Sequence, residues 1–256
     1  MTILSHIYNE EFLLPWWLKH HRNFFDHGII IDYASTDRSL DIVRELCPTW
    51  EIHQSVNSHF DAWLVDKEVE QYERRVVGPR IALNTTEFLY GPYDEITSED
   101  QIYIPAYYFV DPLDLNESVN LEQPLHDQFK LAVPWQHDIW VRRTRLLHSN
   151  PSINYPLGRH FEQVTEEKNF VIFCYGQAPM TEKFIERKLQ IQHRIPHHNK
   201  MLAQGHTHYL PGGGLLDRAT LIQRKNTLFL PFAKDLSPEI QAAVDLCYRK
   251  SDLSTN

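Results

Sequence analysis

The sequence predicts an α/β fold of Rossmann-like type, a single domain with a mostly parallel central sheet flanked by helices. Strand-like and helix-like patterns alternate β-α-β-α-β-α-β over residues 1–83, which implies parallel strands joined by right-handed crossovers. Residues 28–32, Gly-Ile-Ile-Ile-Asp, form a short and nearly all-apolar run, as expected of a parallel strand covered on both faces. A chain of 256 residues, 42% of them hydrophobic and only 9 of them glycine, buries a core large enough for one compact domain.

Residues 2–8 alternate roughly between apolar and polar and read as the first strand, stopped by Asn9-Glu10-Glu11. A helix follows over 15–25, with Pro15 suited to its first turn, Trp17, Leu18, His21 and Phe24 facing the core, and Gly28 closing it. After the second strand, Ser35, Thr36 and Asp37 offer caps to a helix carrying Leu40, Val43 and Leu46. Residues 50–54 alternate as a third strand. Phe60, Trp63, Leu64, Val69, Tyr72 and Val76 fall at helical spacing over 60–77, and 80–83 is a fourth strand. The second half is less regular, with strand patterns at 101–110, 139–141 and 170–173 and helices over 180–195 and 238–248. The natural division of the single domain is a half over 1–115 and a half over 116–256.

Composition narrows the function. The formal charge of -9, with Lys and Arg scattered, provides no polycationic surface, so no nucleic-acid partner is expected. Cys47, Cys174 and Cys247 are far apart and lack metal-ligand spacing, which fits a reducing compartment better than a disulfide framework. No apolar run approaches the roughly 20 residues of a transmembrane helix, and no leader pattern opens the chain, so a soluble, cytoplasmic protein is expected.

In a parallel sheet ligands sit at the carboxyl ends of strands. There the polar clusters Asn9-Glu10-Glu11 and Asp32-Tyr33-Ala34-Ser35-Thr36-Asp37 should meet. A carboxylate at that edge can accept from a base or a ribose hydroxyl, and the helix start at Ser35-Thr36 adds donors and positive dipole. On local evidence the same three residues serve equally well as plain helix caps.

Tyr8-Asn9-Glu10-Glu11 with Leu13-Leu14-Pro15-Trp16-Trp17, then Ile30-Ile31-Asp32 and Ser35-Thr36-Asp37-Arg38-Ser39, resembles the N-terminal half of the family 2 glycosyltransferases and their relatives. The resemblance covers roughly the first 90 residues and implies a GT-A domain. Residues 1–115 would then hold a nucleotide sugar, UDP-linked in preference to GDP-linked, and 116–256 an acceptor glycan or small hydroxyl compound. It further implies that Tyr8 and Glu10 line the base and ribose site and that Asp32 accepts from the base. Asn84-Thr85-Thr86-Glu87 stands where this family carries its Asp-x-Asp metal-diphosphate motif, and both aspartates are missing.

Asn and Thr oxygens are far weaker ligands than carboxylates for Mn²⁺ or Mg²⁺, which leaves the need for a divalent cation open. Asn84 and Thr86 can still bond ribose or phosphate oxygens, and Glu87 can orient a sugar hydroxyl or give one metal ligand. Without a metal the diphosphate needs basic donors. Arg187, Lys188 and Arg194, on the helix over 181–195, are the candidates, the alternative being a solvated face paired with Glu182 and Glu186. His206 and His208 form an H-x-H pair able to share a metal or touch phosphate, and the resemblance adds that a late histidine often completes the metal site. For the base that deprotonates an acceptor, Asp111, Asp138, His160 and Glu87 are candidates. Two other readings compete with a transferase. A nucleotidyltransferase would show a Gly-rich basic loop after strand one, where this chain is acidic. A non-catalytic sugar-nucleotide binder would keep the fold after losing Asp-x-Asp.

Overall fold

The computed structural model describes residues 1–136, 144–205, 208–210 and 213–248. In chain order its first half runs β1 (Thr2–Ile7), α1 (Leu14–His21), β2 (His27–Asp32), α2 (Ser39–Leu46), β3 (Glu51–Gln54), α3 (Ala62–Glu73), β4 (Arg80–Ala82), β5 (Glu87–Tyr90), β6 (Gln101–Ile104) and β7 (Ala106–Val110). Then follow α4 (Leu125–Gln128), β8 (Leu131–Val133), β9 (Arg145–His148), β10 (Val171–Gln177), α5 (Glu182–Gln190), α6 (His197–Met201), α7 (Arg218–Arg224), β11 (Lys234–Asp235) and α8 (Ser237–Tyr248).

The strands form two sheets. The first has the order β3-β2-β1-β4-β9-β6, in which β1 to β4 are mutually parallel and β9 alone runs antiparallel, between β4 and β6. This is the Rossmann-type α/β sheet that the alternating pattern predicts. The second, β11-β8-β7-β10-β5, is an addition beyond that pattern. The strand expected over 101–110 divides between the sheets at Pro105, which lacks an N–H for the ladder. The strand expected over 139–141 lies outside the described residues.

Helices cover both faces of the parallel strands. Leu14, Trp17 and Leu18 of α1 and Ile42 and Val43 of α2 pack with Ile3, Ile30 and Ile81, and this core continues into Phe88, Phe109 and Phe173 of the second sheet. On the other face Val65 and Val69 of α3 pack with Leu4, Ile29, Ile31 and Ala82. Gly28 lies within β2 and does not end the preceding helix. A Cβ there would stand 2.1 Å from the Trp50 ring, so the indole needs the bare backbone.

The expected apolar face of α3 is only half right. Trp63 and Leu64 are 47% and 48% exposed, whereas Asp66, Glu68, Glu70 and Glu73 are buried. Each acid is matched by donors from elsewhere. Glu68 accepts from Tyr33, Ser55 and Asn57, Glu73 accepts from the Tyr155 hydroxyl, and Glu70 accepts from the Tyr155 amide. Asp61 caps the helix by accepting from the amides of Trp63 and Leu64.

Buried histidines in α1 give stability a pH dependence. Burial pushes the His20 imidazole down to about 4, against the raising effect of its bond to the Leu89 carbonyl, and burial holds His21 well below its ordinary value. Between pH 6.5 and about 4 the unfolded chain therefore binds more protons than the native one. The stabilising contribution of His20 is fully present above 6.5 and is lost as pH falls toward 4, on the order of 3 kcal/mol in all. Urea unfolding at pH 7 and pH 5 should show wild type losing more stability than His20→Gln, whose amide keeps a donor for Leu89 without titrating.

Candidate functional site

The chain leaves β1 toward β2 and β3 on one side and returns with β4 on the other. The carboxyl ends of β1 and β4 thus form a topological switch point, the place where open α/β sheets hold ligands. The two polar clusters do meet there, and they bond each other. The Asn9 amide donates to Ser35 Oγ and the Thr36 amide to Asn9 Oδ1, at 3.0 and 2.7 Å. The Glu10 amide donates to Ser39 Oγ at 2.7 Å and the Glu11 amide to Asp37 at 3.0 Å. Asp32 is buried and its carboxylate accepts the Ser35 amide, so in this structure it shapes the loop. Asn9 and Ala34 sit at φ 51° and 60°, a left-handed conformation that tolerates Asn and strains Ala.

The basic residues of α5 reach this edge. Arg187 forks onto Glu10, with Nε on one carboxylate oxygen and Nη2 on the other at 2.7 Å, and Nη2 also donates to Thr85 Oγ1 at 3.1 Å. The Thr85 hydroxyl in turn donates to Glu10 at 2.7 Å. Arg194, in the 3-10 turn Ile191–Arg194, lies 4.2 Å over the Tyr8 ring and donates to the carbonyls of Tyr33 and Ser58. Gln190 bonds both the side chain and the carbonyl of Asn9. The solvated alternative does not hold for Arg187, and Glu182 pairs instead with Arg218 at 3.3 Å. Lys188 Nζ lies over the Phe184 ring, 5.2 Å from its centre.

The segment 84–87 contacts three guanidinium groups. Arg159 donates through Nη2 to Asn84 Oδ1 at 3.1 Å, Arg187 reaches Thr85, and Arg145 grips Glu87 with Nε and Nη2 at 2.9 and 2.8 Å. Glu87 is 1% exposed and also accepts the Asn84 amide, so its carboxylate neither orients a sugar hydroxyl nor ligates a cation here. Among the described residues no group of three or more His, Cys, Asp or Glu is placed to hold a metal ion. The side chains of 84–87 do not fit a divalent cation: the one carboxylate is committed to Arg145, Asn84 Oδ1 accepts from Arg159, and the Thr85 hydroxyl lies between Arg187 and Glu10. Thr86 accepts the Tyr175 amide through its carbonyl, and the neighbouring Thr85 hydroxyl bonds Glu10 and Arg187.

Other expected residues are redistributed. Asp111 is 1% exposed and accepts from the amides of Leu113 and Met180 and from Asn116, which makes it the anchor of the loop after β7 rather than a base facing a cleft. Asp138 and His206 lie outside the described residues. His208 is close to Phe60, with ring centres 6.0 Å apart. His160 follows Arg159 directly.

His6, Thr85, Arg145 and Arg159 belong to this edge without having been singled out from the sequence. Arg159 Nη2 approaches His6 Nδ1 at 3.4 Å. Burial first, then the charges of Arg159, Arg145 and His208, hold the His6 imidazole well below its ordinary value. The signal available in advance was the position of His6 near the end of strand one, facing opposite to Ile7.

No family model matches the sequence, and no curated protein matches it. Among solved structures the chain is similar to a 1–349 fragment of S. aureus TarS, at 13% identity and a TM-score of 0.37, over 100% of this chain and 74% of that one. For the same fragment in complex with UDP-GlcNAc the values are 12% and 0.37, over 75% of this chain and 65% of that one. For a longer TarS chain they are 12% and 0.33, over 88% and 42%.

Removing one partner of a buried ion pair leaves an uncompensated charge, which typically costs about 3–5 kcal/mol. Arg145→Met should therefore destabilise the protein by about that amount. Adding Glu87→Gln to it should restore much of the loss, as chemical denaturation of the single and double variants will show.

Proposed function

We propose that the protein is a glycosyltransferase that moves a sugar from a nucleoside-diphosphate sugar, UDP-linked in preference to GDP-linked, to a hydroxyl of a glycan or small acceptor. The observation that carries this reading is the convergence of Tyr8, Glu10, Thr85, Arg187 and Arg194 on the switch point of a parallel sheet. The resemblance of residues 8–39 to family 2 glycosyltransferases supports the same assignment.

In this reading Tyr8 offers a face to the base, Glu10 accepts from ribose, and Arg187 and Arg194 provide charge-assisted donors to the diphosphate. The acceptor oxygen bonds to the anomeric carbon as the carbon–oxygen bond to the diphosphate breaks, and the diphosphate leaves with the electron pair. The acceptor's proton passes to a base, for which His160 is the remaining described candidate. Backbone and side-chain donors aimed at the leaving group stabilise the charge that develops there.

A non-catalytic sugar-nucleotide binder is the second reading, favoured by the commitment of Glu87 and Asp111 to structural bonds. Release of free nucleoside diphosphate from the sugar nucleotide in the presence of acceptor separates the two.

A ligand that binds only the native state raises its stability, by about 2.7 kcal/mol at a hundredfold excess over Kd. Thermal unfolding with UDP, GDP and their sugar conjugates should show stabilisation by at least one, retained in EDTA. Arg187→Ala should weaken that binding about tenfold, equivalent to roughly 1.4 kcal/mol. Absence of any shift across the panel rejects the donor site.

A further inference from the structure

We infer that Arg159 is a diphosphate-binding residue of the proposed donor site, held at the switch point by Asp66 and Asn84. The inference rests on the donor-site reading and adds a residue from outside α5.

Arg159 ends the short 3-10 turn Leu157–Arg159 and is fixed from two sides. Asp66 of α3 accepts both the Gly158 amide and Arg159 Nη1, each at 2.6 Å. Arg145 Nη1 donates to the carbonyls of Gly158 and Arg159, at 2.5 and 3.2 Å. This clamp holds Arg159 at φ 56°, a conformation that a non-glycine residue adopts at a cost. Strain retained inside so many bonds indicates that the surroundings impose the position of the guanidinium.

That position is rich in donors. Nη2 points at Asn84 Oδ1 and His6 Nδ1, while Nε is buried and has no acceptor among the described residues. A buried N–H without a partner carries a desolvation penalty that an incoming oxygen removes. Because His6 Nδ1 faces a permanent donor it is the unprotonated nitrogen, and the neutral ring carries its proton on Nε2. Burial is the main reason the His6 imidazole stays neutral, and the charges of Arg159, Arg145 and His208 add to it.

The ligand class follows from these groups. A guanidinium with its planar fork suits phosphate oxygens better than a point charge does, and stays protonated at any physiological pH. Its neighbour Asn84 precedes Thr85, which Arg187 contacts, so adjacent residues after β4 place two guanidinium groups on one short stretch of chain. Two such groups match the two phosphates of a diphosphate. Because Arg159 is 3% exposed, binding requires an opening at the strand ends, where the Arg187 and Arg194 contacts tie α5 and its following turn to the sheet.

Calorimetric titration in EDTA tests this, with UDP, GDP, uridine and guanosine as probes. Wild type should bind one of the diphosphates at least tenfold more tightly than its nucleoside. Arg159→Lys keeps a charge for Asp66 but loses the fork, and should weaken the diphosphate at least tenfold while leaving the nucleoside unchanged. Asn84→Asp places a carboxylate against Nη2 without emptying the clamp and should have the same effect, which keeps the test decisive should the Lys variant fail to fold. Diphosphate affinity unchanged in Asn84→Asp, or equal to that of the nucleoside in wild type, overturns the role of Arg159 and leaves the donor site standing. No binding of any probe to wild type overturns the donor-site reading itself.

Discussion

The ion pair between Glu87 and Arg145 is the contact on which the two sheets and the candidate site jointly depend. Glu87 opens β5 in the second sheet and Arg145 opens β9 in the first, and both side chains are 1% exposed. Two parallel bonds satisfy both carboxylate oxygens, the geometry for which guanidinium is suited. The remaining nitrogen of Arg145 turns to the carbonyls of Gly158 and Arg159. One residue thus ties the sheets together and sets the turn that carries Arg159. A buried pair of this kind adds little net stability over an apolar substitute, because desolvation offsets the Coulomb gain. Its effect is positional, since neither sheet can slide without leaving a charge unpaired.

The same economy governs the rest of the edge. Arg187 pairs with Glu10, Arg159 with Asp66, and Arg145 with Glu87, across sequence separations of 177, 93 and 58 residues. Each guanidinium has its own carboxylate, so the cluster is close to neutral as a whole while its hydrogen-bond donors outnumber those carboxylates. Such an arrangement holds fixed dipoles near the strand ends without the repulsion of unpaired charges. The left-handed backbone at Asn9, Ala34 and Arg159 falls at the same edge, where the bonds between the loops after β1 and β2 and the clamp around 157–159 over-determine it.

How much of this the sequence discloses depends on the range of the interaction. The parallel unit was legible because its signals are local: the apolar run of β2, the alternation of β1, Pro15 in the first turn of α1. The meeting of Asn9-Glu10-Glu11 with residues 32–37 followed from topology alone. The second sheet was hidden because β5 starts soon after β4 and is buried on both faces, so its pattern merges with the preceding turn. The inward acids of α3 were hidden too, since a buried Glu is intelligible only with its donors, and Tyr155, which donates to Glu70 and Glu73, lies 85 and 82 residues away. Thr85 and Thr86 could not be told apart, because one residue of register decides which side chain faces Glu10.

Arg159 is the extreme case. Its spacing carries no motif, and the residues that define it, Asp66, Asn84, His6 and Arg145, come from one helix, one loop and two strands. What makes it a candidate is a combination that folding alone does not require: a strained backbone position, an N–H with no acceptor among the described residues, and a neutral histidine beside it. Any one of these is common in a protein interior. Together at the switch point they describe a buried cluster suited to oxygen atoms that bear negative charge, in a place where the residues of 84–87 offer no carboxylates to a cation. The absence of carboxylates at 84 and 86 and the gathering of arginines are therefore two aspects of one electrostatic arrangement, since carboxylates added at 84 or 86 would compete with an anionic ligand for the same donors.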